Sequence, residues 1–194
     1  MCPYPPDGIP TDSNYVYLYT NCYMKLLSFV LLLFISTATF SQSLKKYPIG
    51  NTGCSAYAFC QFGDFDADNS EDSSKVFTKE CAQDSTTYGI ICVQLKTAIE
   101  KPDIAESVLI SYLDFLKTQF KITSSAGYGK GHRLKDREDT RGVLDYWEDA
   151  DKYHWKVKGW TDGKFIAVMY TYSKKELSET KINLFLDGFR LPGM

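Results

Sequence analysis

The sequence predicts an α+β fold: an antiparallel sheet, a meander, packed against two amphipathic helices, with a disulfide-stapled N-terminal third. Three observations lead there. An Asp162-Gly163 pair separates two runs of strand formers, a stretch beginning at Pro102 repeats its apolar residues at three- and four-residue spacing, and four cysteines fall between Cys54 and Cys92. Strand-like runs and helical runs that follow one another without strict alternation favour helices laid on an antiparallel sheet.

The chain of 194 residues carries an export pattern near its start, "MKLLSFVLLLFISTATFSQ", which begins at Met24. Lys25 supplies the positive end, Leu26 to Ile35 is apolar, and small residues lead to Ser41. These are the three parts of a cleavable signal peptide over 24–41, and the apolar run falls short of the roughly 20 residues that span a bilayer. Thr39 and Ser41 suit the −3 and −1 positions of cleavage, so the mature chain is expected to begin at Gln42. Residues 1–23 have no usable periodicity and read as sequence upstream of the true start. The expected location is the periplasm or the extracellular space, with no transmembrane segment in the mature chain.

Residues 42–194 are of a length that suits one domain, and such a chain buries roughly 70% of its unfolded surface. One of the 22 Lys and Arg and two of the 24 Asp and Glu precede Gln42, which leaves 21 against 22 and a net charge of −1. That balance argues against nucleic acid or an anionic membrane face as partner. The charge is nonetheless segregated: acids dominate residues 62–84 and bases dominate residues 117–141.

Four cysteines at even count in an exported chain point to two disulfides, for which three connectivities exist. "VFTKEC" and "YGIICVQL" read as consecutive strands around a turn near Asp84–Thr87, which favours Cys81 with Cys92 and leaves Cys54 with Cys60. Zinc is the competing reading, but no two of these cysteines have the C-x₂₋₄-C spacing of a structural site.

Along the mature chain, "CSAYAFCQF" is strand-like, and an acidic loop follows from Gly63 to Ser74. Pro102 suits the first position of a helix and Asp103 its first turn, where a carboxylate meets the positive end of the dipole. Ala105, Val108, Leu109, Tyr112, Leu116 and Phe120 then form one apolar stripe. In the hairpin at Asp162-Gly163 a two-residue turn pairs Trp160 with Phe165, Val157 with Val168 and Trp155 with Tyr170. One face then carries Trp155, Val157, Ile166, Val168 and Tyr170 as core. A closing helix is expected from a capping box at Ser173 and Glu176, through Leu177, Ile182, Phe185 and Leu186, to Gly188.

The order of early hairpin, amphipathic helix, meander and closing helix, ending in "FLDGFRLP", resembles the PsbP/DcrB-like family of extracytoplasmic domains over about residues 75–191. The resemblance implies a C-terminal helix running into a short aromatic segment packed on the sheet, and a binding or assembly role without catalysis. The four cysteines depart from it and leave the N-terminal third unexplained.

Three stretches are candidate binding sites. In "GYGKGHR", Gly129 and Gly131 free backbone N–H groups to face an anion, and Lys130, His132 and Arg133 add charge. Asp64, Asp66 and Asp68 stand at positions 1, 3 and 5 of a calcium-loop pattern, although Asn69 and Lys75 occupy the places of its Gly and its bidentate Glu. Trp160, Phe165 and Met169 share the second face of the hairpin, where aromatics on a half-covered sheet mark a binding surface. No nucleophile elbow and no zinc-protease motif occur, and no cofactor is called for. The expected function is therefore an exported, non-catalytic binding or accessory module of the bacterial envelope that engages a protein or a small ligand. The alternatives are a small extracytoplasmic hydrolase and a secreted neutraliser of a toxin.

Overall fold

The computed structural model describes residues 43–175 and 179–194. The signal-peptide segment, the residues before it, Glu176 of the expected capping box and Leu177 of the expected closing helix lie outside the described residues. The fold is mixed α+β, with antiparallel sheets and two helices. In chain order the strands are β1 (Lys45–Pro48), β2 (Ser55–Ala58), β3 (Asp66–Asn69), β4 (Lys75–Gln83) and β5 (Thr86–Gln94). Helix α1 (Pro102–Gln119) follows, then β6 (Ile122–Ser125), β7 (Gly129–His132), β8 (Arg141–Asp149), β9 (His154–Thr161) and β10 (Phe165–Ser173). Helix α2 (Glu179–Leu186) and β11 (Phe189–Arg190) close the chain.

The large sheet runs β3-β4-β5-β10-β9-β8-β6, with β7 also on β8, and a small sheet runs β1-β2-β11. Two three-strand runs therefore meet at the β5–β10 seam, and the central strands are apolar on both faces because both faces are covered. Over one face lies α1, whose Leu109, Leu113 and Leu116 pack with Val143, Trp147, Val157, Ile166 and Val168. Over the other lie α2 and the small sheet, which enclose Cys92, Trp160, Phe165, Ala167 and Met169 with Phe185, Leu186 and Phe189.

The hairpin at Asp162-Gly163 forms, with a register two residues away from the expected one. Trp160 opposes Ala167, Val157 opposes Tyr170 and Trp155 opposes Tyr172. The loop is longer because Asp162 Oδ1 accepts hydrogen bonds from the N–H groups of Lys164 (2.9 Å) and Phe165 (2.8 Å), and Thr161 Oγ1 accepts one from Gly163 (3.0 Å). A slip of two preserves which face each side chain occupies, so Trp155, Val157, Ile166, Val168 and Tyr170 remain on one face, under α1. Gly163 has φ +83°, and a Cβ there would stand 2.0 Å from the carbonyl oxygen of Ile99, while the Ile99 N–H donates to Gly163 O at 2.8 Å. Backbone blocks backbone, so Gly163→Ala is expected to cost about 2–3 kcal/mol in urea unfolding. A cost below about 0.5 kcal/mol would mean that the loop relaxes freely.

The disulfide pairing differs from the expected one. Cys60 is joined to Cys81, with Cα atoms 5.9 Å apart, and Cys54 and Cys92 are free thiols in the core. The β4–β5 turn is only Asp84-Ser85, with φ of 53° and 64°, which is the type I′ geometry of a two-residue hairpin. That register sets Cys81 against Tyr88 and Cys92 against Phe77, so the two cysteines stand four positions apart along the hairpin, roughly 13 Å. Extended β2 lies between Cys54 and Cys60 and separates them in the same way.

Two smaller corrections concern the ends of elements. The acidic loop contains a strand, β3, paired to β4. Ser173 ends β10 with its hydroxyl donated to Ser85 O at 3.0 Å, and Gly188 closes α2 by donating its N–H to Phe185 O at 2.7 Å. Among the described residues no helix is long and apolar enough to cross a membrane.

Candidate functional site

Helix α1 does not cover the whole of its face of the sheet. It packs on β8 and β9, with Leu109 seated on Gly159, and β3, β4 and β5 extend beyond it. A cleft of about 800 Å³ opens between this uncovered half and the side of the helix. Its floor follows from the register. Asp68 of β3 lies opposite Val76, Val76 opposite Val93, and Val93 opposite Ile166, which makes one row across four strands. In the next row Asp66 lies opposite Thr78. Each row therefore has a carboxylate at the sheet edge and methyl groups inside. The wall is the α1 stripe Val108, Ser111, Tyr112 and Phe115, which repeats at three- and four-residue spacing. Phe115 is 53% exposed there.

The outer rim is acidic and ordered. Asp66 meets Lys79 at 3.4 Å, and Asp68 Oδ1 accepts the Asn69 N–H at 2.7 Å. Asp72 accepts hydrogen bonds from the Ser70 hydroxyl and from the N–H (3.1 Å) and hydroxyl (2.8 Å) of Ser74. These donors, the Ser70 hydroxyl first, hold its carboxyl down at about 2, so this part of the rim keeps its negative charge through the acidic range. Ser74 Oγ in turn accepts the N–H of Lys96 at 3.1 Å, which ties the turn to the end of β5.

This geometry corrects the calcium reading. Asp66 and Asp68 are in an extended strand, which spaces alternate carboxylates by roughly 6.6 Å along an edge where a calcium loop would wrap them around one ion. Asp64 does not line the cleft, and among the described residues no group of three or more His, Cys, Asp or Glu side chains is arranged to hold a metal. The sheet-face reading is corrected as well. Trp160 and Phe165 are each 2% exposed and Met169 is 0% exposed. The Trp160 indole N–H donates to Leu186 O at 3.0 Å, so α2 closes this face as core.

The anion candidates separate. His132 and Arg133 line a hollow of about 260 Å³ with Lys135, Lys158 and Asp187, whereas Gly129, Lys130 and Gly131 do not line it. Lys158 is paired to Asp187 at 2.6 Å. Burial, and then the Lys158 charge, push the His132 pKa down, toward the neutral form. Two of the basic groups are thus partly spent.

Sequence reasoning missed one constellation. Asp145 is 0% exposed, on the same face as Val143 and Trp147. It accepts hydrogen bonds from Ser125 Oγ (2.8 Å), Gly127 N (3.0 Å), Tyr146 N (2.8 Å) and Trp147 Nε1 (2.6 Å), and Lys117 Nζ lies at 3.1 Å. Burial alone would lower the Lys117 pKa, but its bonds to Tyr128 and Asp145 leave it raised. With every lone pair engaged by the protein, Asp145 is a structural anchor for the loop after β6 and has no free oxygen for catalysis. The signal for it was available: an acid in phase with two apolar neighbours of a strand.

Compared with models of known protein families the chain matches none, and no curated protein sequence matches it.

Proposed function

We propose that this domain is an exported, non-catalytic binding module whose ligand site is the cleft between α1 and β3–β5, and that it takes a small apolar molecule carrying a cationic end. The single observation that carries this reading is the cleft itself: about 800 Å³, floored by Val76, Val93 and Ile166 and rimmed by Asp66, Asp68 and Asp72. Sites for small ligands are concave, mostly apolar and of roughly 300–1,000 Å³, with few polar groups that fix orientation. Here those groups are carboxylates, so the complementary ligand end is positive. The Cys60–Cys81 disulfide supports an oxidising compartment and hence export. Neither His132 nor His154 lines the cleft, so a hydrolase there would lack a histidine base.

Isothermal titration of the full chain with dodecyltrimethylammonium below its micelle concentration tests this. Binding is expected, with dodecyl sulfate clearly weaker. Val76→Trp fills the floor and is expected to abolish binding. Asp66→Asn and Asp68→Asn are each expected to weaken it about fivefold, the worth of one exposed ion pair. Binding that Val76→Trp leaves unchanged, or equal affinity for the anionic amphiphile, would overturn the assignment.

A further inference from the structure

Cys54 and Cys92 are free thiols within one buried cluster. We propose that they form a second disulfide, Cys54–Cys92, in the oxidised protein, locking the Ile49–Cys54 turn onto the large sheet.

The argument begins with the turn. Ile49 N–H donates to Cys54 O at 3.0 Å, Thr52 Oγ donates to Ile49 O at 2.6 Å, and Cys54 N–H donates to Thr52 Oγ at 3.0 Å. Gly50 of this closed turn lies against the Phe77 ring, so near that a Cβ would stand 2.5 Å from Phe77 Cε1. Phe77 is the cross-strand partner of Cys92, and both cysteines belong to the same buried cluster, at 1% and 0% exposure. Each thiol acts on the other: Cys92 pulls the pKa of Cys54 down, and Cys54, with burial, pushes that of Cys92 up. Cys60 and Cys81 already satisfy one another, so this pair completes the cysteine set of the domain.

The chemistry is thiol–disulfide exchange with a disulfide oxidant, small or protein-borne. The Cys54 thiolate attacks one sulfur of the oxidant and expels its partner as a thiolate. Cys92, giving its proton to that thiolate, then attacks the Cys54 sulfur of the mixed disulfide and expels the second. Two S–H bonds and the S–S bond of the oxidant are broken. One S–S bond and two oxidant thiols are formed, and the thiols carry away both electrons and both protons. Because both cysteines are buried, exchange precedes docking of the turn.

Peptide mapping of the full chain decides it. The protein is made in an oxidising bacterial compartment, alkylated in denaturant without reductant, and digested with chymotrypsin. Cleavage after Tyr57 or Phe59 separates Cys54 from Cys60, and cleavage after Tyr88 separates Cys81 from Cys92, so the three connectivities give different linked pairs. The expected products are Cys54–Cys92 and Cys60–Cys81, with none of the four alkylated. Alkylated Cys54 and Cys92 beside an intact Cys60–Cys81 link, or either thiol linked elsewhere, would overturn the proposal. As a second measurement, the Cys60→Ser/Cys81→Ser chain keeps only the proposed pair. Its melting midpoint is expected to fall by about 10 °C on adding reductant; an unchanged midpoint in a protein that folds speaks against the bond.

Discussion

Asp145→Ala is expected to lower the unfolding free energy by about 3–5 kcal/mol, the cost of breaking a buried ion pair from one side. In a domain of this size that is a fall of roughly 10 °C in melting midpoint. The effect is large because one side chain satisfies five donors. Truncation leaves the Trp147 indole N–H buried without an acceptor, worth about 1–3 kcal/mol, and leaves the Gly127 N–H with only the 3.3 Å bond to Ser125 Oγ. The Lys117 ammonium keeps only Asp114 and Tyr128. Asp145→Asn retains one acceptor oxygen but turns an N–H₂ toward other donors, so it is expected to cost less than Ala and still more than about 1 kcal/mol. Urea unfolding gives the totals, and hydrogen exchange gives the location: amides of residues 125–128 should lose protection first. An Ala variant within about 1 kcal/mol of the wild type would mean that water replaces the carboxylate and that the network contributes little.

Phe185→Ala is expected to cost a similar amount, about 3–5 kcal/mol, for the loss of a fully buried aromatic ring. Phe185 is 0% exposed and sets its ring edge-on to Tyr88, with centroids 5.1 Å apart, and 6.5 Å from Phe62. The described turns of α2, Glu179–Leu186, hold because Ile182, Phe185 and Leu186 are buried. Removing the ring is therefore expected to expose amides 179–186 to exchange and to break the Trp160–Leu186 hydrogen bond, shifting tryptophan emission toward the red. Should the variant keep wild-type stability and emission, α2 would be a loose cover. Trp160, Phe165 and Met169 would then return as an accessible surface.

These two sites also mark what was legible in the chain. Local chemistry determined the helix at Pro102, the Asp162-Gly163 hairpin, and the sorting of Trp155, Val157, Ile166, Val168 and Tyr170 to one face, because period and turn residues act over a few positions. The register was not local. The β9–β10 pairing moved by two when Asp162 capped two following N–H groups and Ile99 docked on Gly163. The two-residue turn set the register that carried Cys92 away from Cys81. What covers a sheet face is a matter of whole elements: α2 and the small sheet buried Trp160, Phe165 and Met169, and α1, seated over β8 and β9, left the β3–β5 half open. By itself the sequence determined the elements, the two-faced apolar sheet and the acidic segment. Only the tertiary structure decided that this acid lies along the rim of an apolar cleft, because that requires a strand edge and a helix side, distant in sequence, to be brought to the same place.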